Sequence, residues 1–132
     1  MTFLDTNVLV YAFDKEESDK HKKAQDILTE CWNNRSGTQV LQEFYVTVTR
    51  KLAKTLPRQE AREIIKELSA WQIYQPTPAD IIAASELEEK HSLSFWDALI
   101  VVAAQNSGVT TLISEDMQDG RQIGALKITN PF

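Results

Sequence analysis

The chain opens on an apolar run, Thr2 to Phe13, that a single carboxylate, Asp5, interrupts. Phe3-Leu4 reads as a short buried strand and Asn7–Phe13 as a short helix. A charge-dense turn at Lys15–Lys23 leads into a second helix, Asp19–Trp32, with Ala24, Ile27, Leu28 and Cys31 on one face. Asn33–Gly37 is predicted to end that helix, as Asn and Gly do at helix C-termini, and Thr38–Leu41 reads as a short strand. Glu43–Leu56 carries two conflicting patterns. Phe44–Thr49 is rich in aromatic and β-branched residues, which favours a strand. Tyr45, Val48 and Leu52 recur at helical spacing and run into Arg50–Lys54, and helix is the reading adopted. Pro57 suits the first turn of a helix reaching Ser69, with Ala61, Ile64, Ile65 and Leu68 facing inward. Trp71–Gln75 alternates as a strand does. Thr77-Pro78-Ala79-Asp80 is a helix start, with a hydroxyl cap, proline at the first position and an acid two residues later; that helix extends to His91. Phe95–Asn106 is the most apolar helix and Gly108 stops it. Thr110–Ile113 is a strand, Ser114–Gly120 a polar loop, and Leu126–Thr129 a last short strand. Short strands alternating with helices predict an α/β chain whose mainly parallel sheet is covered on both faces. No repeat, linker or low-complexity segment divides residues 1–132, which read as a single domain.

Composition narrows the class. The 132 residues suffice for one domain with a real core. A hydrophobic content of 42% and a charged content of 25% are those of an ordinary globular protein. No apolar run is long enough to span a bilayer, and the apolar start has no basic region before it, so neither a membrane span nor a signal peptide is expected. Cys31 is the only cysteine, which excludes an internal disulfide and fits a reducing, cytoplasmic setting. The net charge of −5, from 14 basic and 19 acidic side chains, argues against passive, charge-driven binding of nucleic acid. It leaves room for an enzyme that meets nucleic acid through bound cations.

The carboxylates carry the chemistry. Asp5 sits at the end of a buried strand, where a charge costs several kcal/mol unless it has a partner, a hydrogen-bond network or a metal; capping the next helix is the simpler role. Asp97 is the only polar group in the ten residues Phe95–Ala104, with Ser94 as the competing cap. Asp116 lies in S-E-D-M-Q-D-G directly after a strand, a composition that turns also favour. Glu43 follows Val40-Leu41 in the same way. In a parallel sheet all strand carboxyl ends share one edge, so Asp5, Glu43 and Asp116 are expected to converge there. Asp97, opening a helix whose N-terminus could face that edge, would complete a ring. Such a set repels itself unless cations fill it, and an all-oxygen site suits Mg²⁺ or Mn²⁺.

These motifs taken together carry a resemblance. D-T-N at Asp5–Asn7, L-Q-E-F around Glu43, S-F-W-D-A at Ser94–Ala98, S-E-D-M-Q-D-G at Ser114–Gly120 and the closing Asn130-Pro131-Phe132 resemble the PIN-domain family, and within it the VapC-type toxins of bacterial toxin–antitoxin pairs. The resemblance spans the whole chain in the same order. It implies a three-layer α/β/α sandwich with the first strand central, and a metal-dependent ribonuclease in which Asp5, Glu43, Asp97 and Asp116 ligate Mg²⁺ or Mn²⁺. Asn7 and Ser114 match supporting polar positions, and Asp119 a position where some members carry a further acid and others do not. It also implies attack of a metal-activated water on an RNA phosphodiester to leave a 5′-phosphate, a homodimer, and a cognate antitoxin whose tail fills the groove near the acids. Lys15, Arg50, Lys51, Lys54 and Arg58 are candidate RNA phosphate contacts, although a solvated helix face explains them about as well. His21 and His91 lie in charged stretches and are read as surface residues.

Two other functions compete. An aspartyl-nucleophile phosphatase would use Asp5, but such enzymes usually need a second Asp two residues on, where this chain has Asn7. A catalytically silent RNA- or protein-binding domain would have no use for carboxylates held together.

Overall fold

The computed structural model describes residues 1–30 and 34–132. The sheet has six strands in the order β3-β2-β1-β4-β6-β5, where β1 is Thr2–Leu4, β2 Asn34–Gly37, β3 Gln72–Tyr74, β4 Thr111–Ile113, β5 Gln122–Ile123 and β6 Leu126–Thr129. Every pairing is parallel except that of β5 with β6. The helices are α1 Thr6–Phe13, α2 Ser18–Glu30, α3 Thr38–Arg50, α4 Arg58–Leu68, α5 Pro78–His91 and α6 Phe95–Asn106. The result is the expected α/β/α arrangement. Phe3 and Leu4 on β1, Leu112 on β4 and Ile128 on β6 are buried to within 1% of completely, together with Phe44, Val48 and Val101 from the covering helices. Three-residue strands cannot hold a sheet alone, so burial of both their faces under helices carries the fold. Among the described residues no helix is long and apolar enough to cross a membrane.

Two expectations are corrected. Asn34–Gly37, read as a helix stop, is strand β2, paired with both β1 and β3. Two of its polar side chains, Asn34 and Ser36, are buried, and β1 supplies a partner for each. Thr2 Oγ1 donates to Asn34 Oδ1 at 3.1 Å, and Ser36 Oγ donates to the Leu4 carbonyl at 3.0 Å. Thr38–Leu41, read as a strand, is instead the first turn of α3, and Val40, Phe44 and Val48 form its completely buried stripe at helical spacing. The two-residue β5 has no counterpart in the sequence reading. The reading of Cys31 and Trp32 as the last helical residues lies outside the described residues.

Chain order along the sheet fixes where a ligand can sit. From β1 the chain steps to β2 and β3 on one side, then returns to β4 on the other side of β1. The carboxyl ends of β1 and β4 therefore flank the point where strand order reverses, which is where open α/β sheets form a crevice. Asp5 leaves β1 there, and Ser114-Glu115-Asp116 leave β4. Asp5 N donates to the Ile113 carbonyl at 3.0 Å, and Ser114 N to the Thr129 carbonyl at 3.0 Å, extending the ladder to that edge. The α5–α6 pair folds back on itself. Asn106 at the end of α6 touches Asp80 at the start of α5, so the N-terminus of α6 is carried to the opposite end of the pair.

Candidate functional site

Asp5 caps α1 at the carboxyl end of β1. Its Oδ1 accepts from Thr6 N at 2.7 Å and its Oδ2 from Ser114 Oγ at 2.7 Å, and the residue is only 3% exposed. Burial pushes its carboxyl from an ordinary 3.8 up to about 6; the Ser114 and Thr6 hydrogen bonds oppose this, while the charges of Asp116 and Glu43 add to it. Ser94, not Asp97, is the N-cap of α6: its Oγ accepts from Asp97 N at 3.1 Å. Asp97 is likewise held above the usual carboxylate range, first by burial, against the Ser94 hydrogen bond, and again by Asp116 and Glu43. The four acids thus share one field although they come from four separate chain segments.

Glu43 lies in the second turn of α3 and is exposed. Two donors orient it: Thr6 Oγ1 to Oε2 at 2.7 Å, and Gln39 Nε2 to Oε1 at 3.0 Å. Gln39 also reaches the Trp96 carbonyl at 3.4 Å, linking α3 to the first turn of α6 beside Asp97. Asp116 is exposed, and its backbone N–H donates to Ser114 Oγ at 3.1 Å. Ser114, completely buried, therefore donates to Asp5 and accepts from Asp116. Asn7 Oδ1 accepts from Glu115 N at 3.2 Å, and its Nδ2 is a buried donor with no partner among the described residues. Asp119 Oδ1 accepts from Asn130 N at 2.9 Å, just past the carboxyl end of β6.

An open groove of about 740 Å³ has Thr6, Asn7, Glu43 and Asp116 in its walls, but not Asp5 or Asp97, and Lys51 is its one lysine or arginine among the described lining residues. Lys15 and Lys54 line a neighbouring hollow of about 410 Å³, whereas Arg50 and Arg58 are exposed and line neither. Among the described residues no three acids, histidines or cysteines close into a ready-made cage. The donor set nonetheless suits a hard divalent ion. It consists of carboxylate oxygens, two of them resisting ionisation through burial and mutual repulsion, and a cation would relieve both costs.

Sequence reasoning missed Thr6, Gln39 and a second cluster. Thr6 was visible within D-T-N, and Gln39 stands four residues before Glu43 on one helix face. The second cluster has no such local sign. Lys20 Nζ donates to Glu115 Oε1 at 2.7 Å and lies 3.3 Å from Tyr11 Oη, whose hydroxyl donates to Glu115 Oε2. Burial pushes the Glu115 carboxyl up, but the Lys20 and Tyr11 hydrogen bonds outweigh it and hold the group below its ordinary value. His21 Nδ1 lies 2.9 Å from the Tyr11 carbonyl, away from the acids.

The fold recurs among solved proteins. No curated protein sequence matches the chain. A toxin–antitoxin complex from Klebsiella pneumoniae contains a chain of similar structure, with 20% identity, a TM-score of 0.75, and coverage of 100% of this chain and 98% of that one. VapC20 of Mycobacterium tuberculosis, described as a sarcin–ricin-loop-cleaving toxin, is similar at 17% identity and TM-score 0.70, covering 85% and 87%. VapBC2 of Rickettsia felis, solved on a promoter DNA fragment, is similar at 23% identity and TM-score 0.65, covering 98% and 97%. At these identities the likeness is one of fold. The PIN domain family model matches residues 2–119, nearly the whole length, and the chain belongs to that family.

Proposed function

We propose that the chain is a divalent-metal-dependent endoribonuclease and the toxin of a toxin–antitoxin pair. The observation that carries this reading is the shared field of Asp5, Glu43, Asp97 and Asp116 at the strand-order reversal of a PIN-family sheet. The described relatives support it: one is named a toxin that cleaves the sarcin–ricin loop, and others stand in toxin–antitoxin complexes. Mg²⁺ or Mn²⁺ held by the four acids would supply an activated water and offset the charge that builds on a phosphodiester in phosphoryl transfer. The protein's own part is to hold the acids in place. Ser114 fixes Asp5 against the loop of Asp116, Thr6 and Gln39 aim Glu43, and Ser94 caps the helix that Asp97 opens. Lys51 offers the groove a contact for an RNA phosphate, with Lys15 and Lys54 next along the surface. An antitoxin segment filling this groove and a homodimer belong to the same reading. The phosphatase alternative lacks its second aspartate, because Asn7 stands there and its Oδ1 is taken by Glu115 N.

The test is cleavage of single-stranded RNA by the purified chain with Mg²⁺ or Mn²⁺. Activity should stop with chelator and be lost in Asp5→Asn and Asp97→Asn. Variants that cut as fast as wild type would overturn the site. Growth arrest on expression, relieved by the product of the adjacent gene, tests the toxin assignment separately.

A further inference from the structure

Glu115 is an acid in the same loop as Asp116, yet its carboxylate and its backbone N–H are taken by partners other than the four acids. Both carboxylate oxygens are engaged, Oε1 by Lys20 of α2 and Oε2 by the Tyr11 hydroxyl of α1. Lys20 Nζ also lies 4.9 Å from the centroid of the Tyr11 ring, which packs at a steep angle against the Phe132 ring with centroids 5.0 Å apart. The backbone N–H of Glu115 is bound in turn by Asn7 Oδ1 at 3.2 Å. The charges that act on Asp5 and Asp97 are those of Asp116 and Glu43, with Glu115 absent from both.

We propose that Tyr11, Lys20 and Glu115 form a clamp that positions Asp116. By tying the loop after β4 to α1 and α2, the clamp fixes where the Asp116 carboxylate stands in the groove. It also withholds Glu115 from the ligand set. Glu115 is thus a positioning residue, and the inference rests on the metal-dependent reading of the site. The Lys20–Glu115 pair is partly exposed, at 37% and 26%, so it contributes little to global stability. Partners that orient ligands from behind commonly change metal affinity by about 10- to 100-fold. The clamp therefore has its effect on metal affinity rather than on folding.

The experiment is Mn²⁺ competition against a chromophoric chelator, with the full chain as wild type, Lys20→Met, Lys20→Arg, Tyr11→Phe and Asp116→Asn, alongside thermal midpoints in excess EDTA. Lys20→Met and Tyr11→Phe should each weaken Mn²⁺ binding about tenfold while the midpoint in EDTA stays near that of wild type, and Lys20→Arg should restore most of the affinity. Unchanged affinity in Lys20→Met overturns the clamp. So does tighter binding, which would mean that the released Glu115 becomes a ligand. A loss of affinity that follows the thermal midpoint and is not rescued by Lys20→Arg overturns it as well. If Asp116→Asn weakens Mn²⁺ binding and Lys20→Met does not, the clamp fails and the metal-site reading stands. A folded wild-type chain that binds no Mn²⁺ overturns both.

Discussion

Ser114 Oγ donates a 2.7 Å hydrogen bond to Asp5 Oδ2 from 109 residues away, and the same oxygen accepts from the backbone N–H of Asp116. One buried hydroxyl thus joins the ends of β1 and β4 and sets two of the acids relative to each other. Ser114→Ala removes the partner of a buried carboxylate and of a backbone donor, at an expected cost of about 1–3 kcal/mol at pH 7.5. The loss should be smaller at pH 4.5, where Asp5 is protonated and its hydrogen bond no longer charge-assisted. Urea unfolding at the two pH values measures this, and equal losses at both would show that the ionised form of Asp5 is not what Ser114 serves.

Asp5 should lower the stability of the metal-free protein at neutral pH. Its carboxyl titrates at about 6 in the folded chain and near 3.8 in an unfolded one. Between those values the native state holds a proton that the unfolded state has released. The contribution of Asp5 is therefore intact below pH 3.8, falls as pH rises to about 6, and stays low above it. Two units correspond to about 3 kcal/mol. In chelator at pH 7.5, Asp5→Asn should be about 1–3 kcal/mol more stable than wild type, with the difference vanishing near pH 4, while RNA cleavage is lost. Destabilisation of Asp5→Asn in chelator at pH 7.5 would mean that other contacts outweigh the burial cost.

Glu43 depends on Thr6 and Gln39 for its orientation, since it is exposed and among the described residues no other side chain hydrogen-bonds its carboxylate. Thr6→Val with Gln39→Ala should lower RNA cleavage by about 10- to 100-fold and change unfolding free energy by about 1 kcal/mol. Single-turnover cleavage with saturating Mn²⁺ is the measurement. Wild-type rates in the double variant would remove Glu43 orientation from the account.

Legibility in the sequence followed the range of the interaction. The helices showed because their signs are local: the Thr77 capping box closes through Asp80 within one turn, and Val40, Phe44 and Val48 repeat at fixed spacing. Strand β2 did not, because N-R-S-G has the composition of a turn, and only Thr2 and the Leu4 carbonyl, about thirty residues away, make its buried polar groups tolerable. That misplacement also assigned Val40-Leu41 to a strand, although a strand does end shortly before Glu43 and the acid still meets Asp5 and Asp97 electrostatically. Asp5 and Asp97 stood out because a carboxylate in an apolar frame is conspicuous in any sequence, whereas Glu43 and Asp116 were singled out only by following predicted strands. The Tyr11–Lys20–Glu115 cluster could not be read, since Glu115 looks like any solvated loop acid until α1 and α2 are folded against it.

Asp80 carries a second buried carboxylate network, and it should behave as a structural one. Tyr74 Oη donates to its Oδ2 at 2.5 Å, Thr77 N to the same oxygen at 2.9 Å, and Asn106 Nδ2 to Oδ1 at 2.9 Å. The Tyr74 hydrogen bond, foremost, holds this carboxyl below its ordinary value, the opposite of Asp5. A depressed carboxyl contributes stability above the unfolded pKa, and that stability is lost as pH falls. Every acceptor site in use is filled by a donor, so no cation is needed. Asp80→Asn should therefore destabilise by about 1–3 kcal/mol at pH 7.5, with a smaller loss in acid, and leave Mn²⁺ affinity and RNA cleavage at wild-type levels. Urea unfolding with parallel metal titration separates the two carboxylate networks, and a change in Mn²⁺ affinity in Asp80→Asn would show that they are coupled through α6.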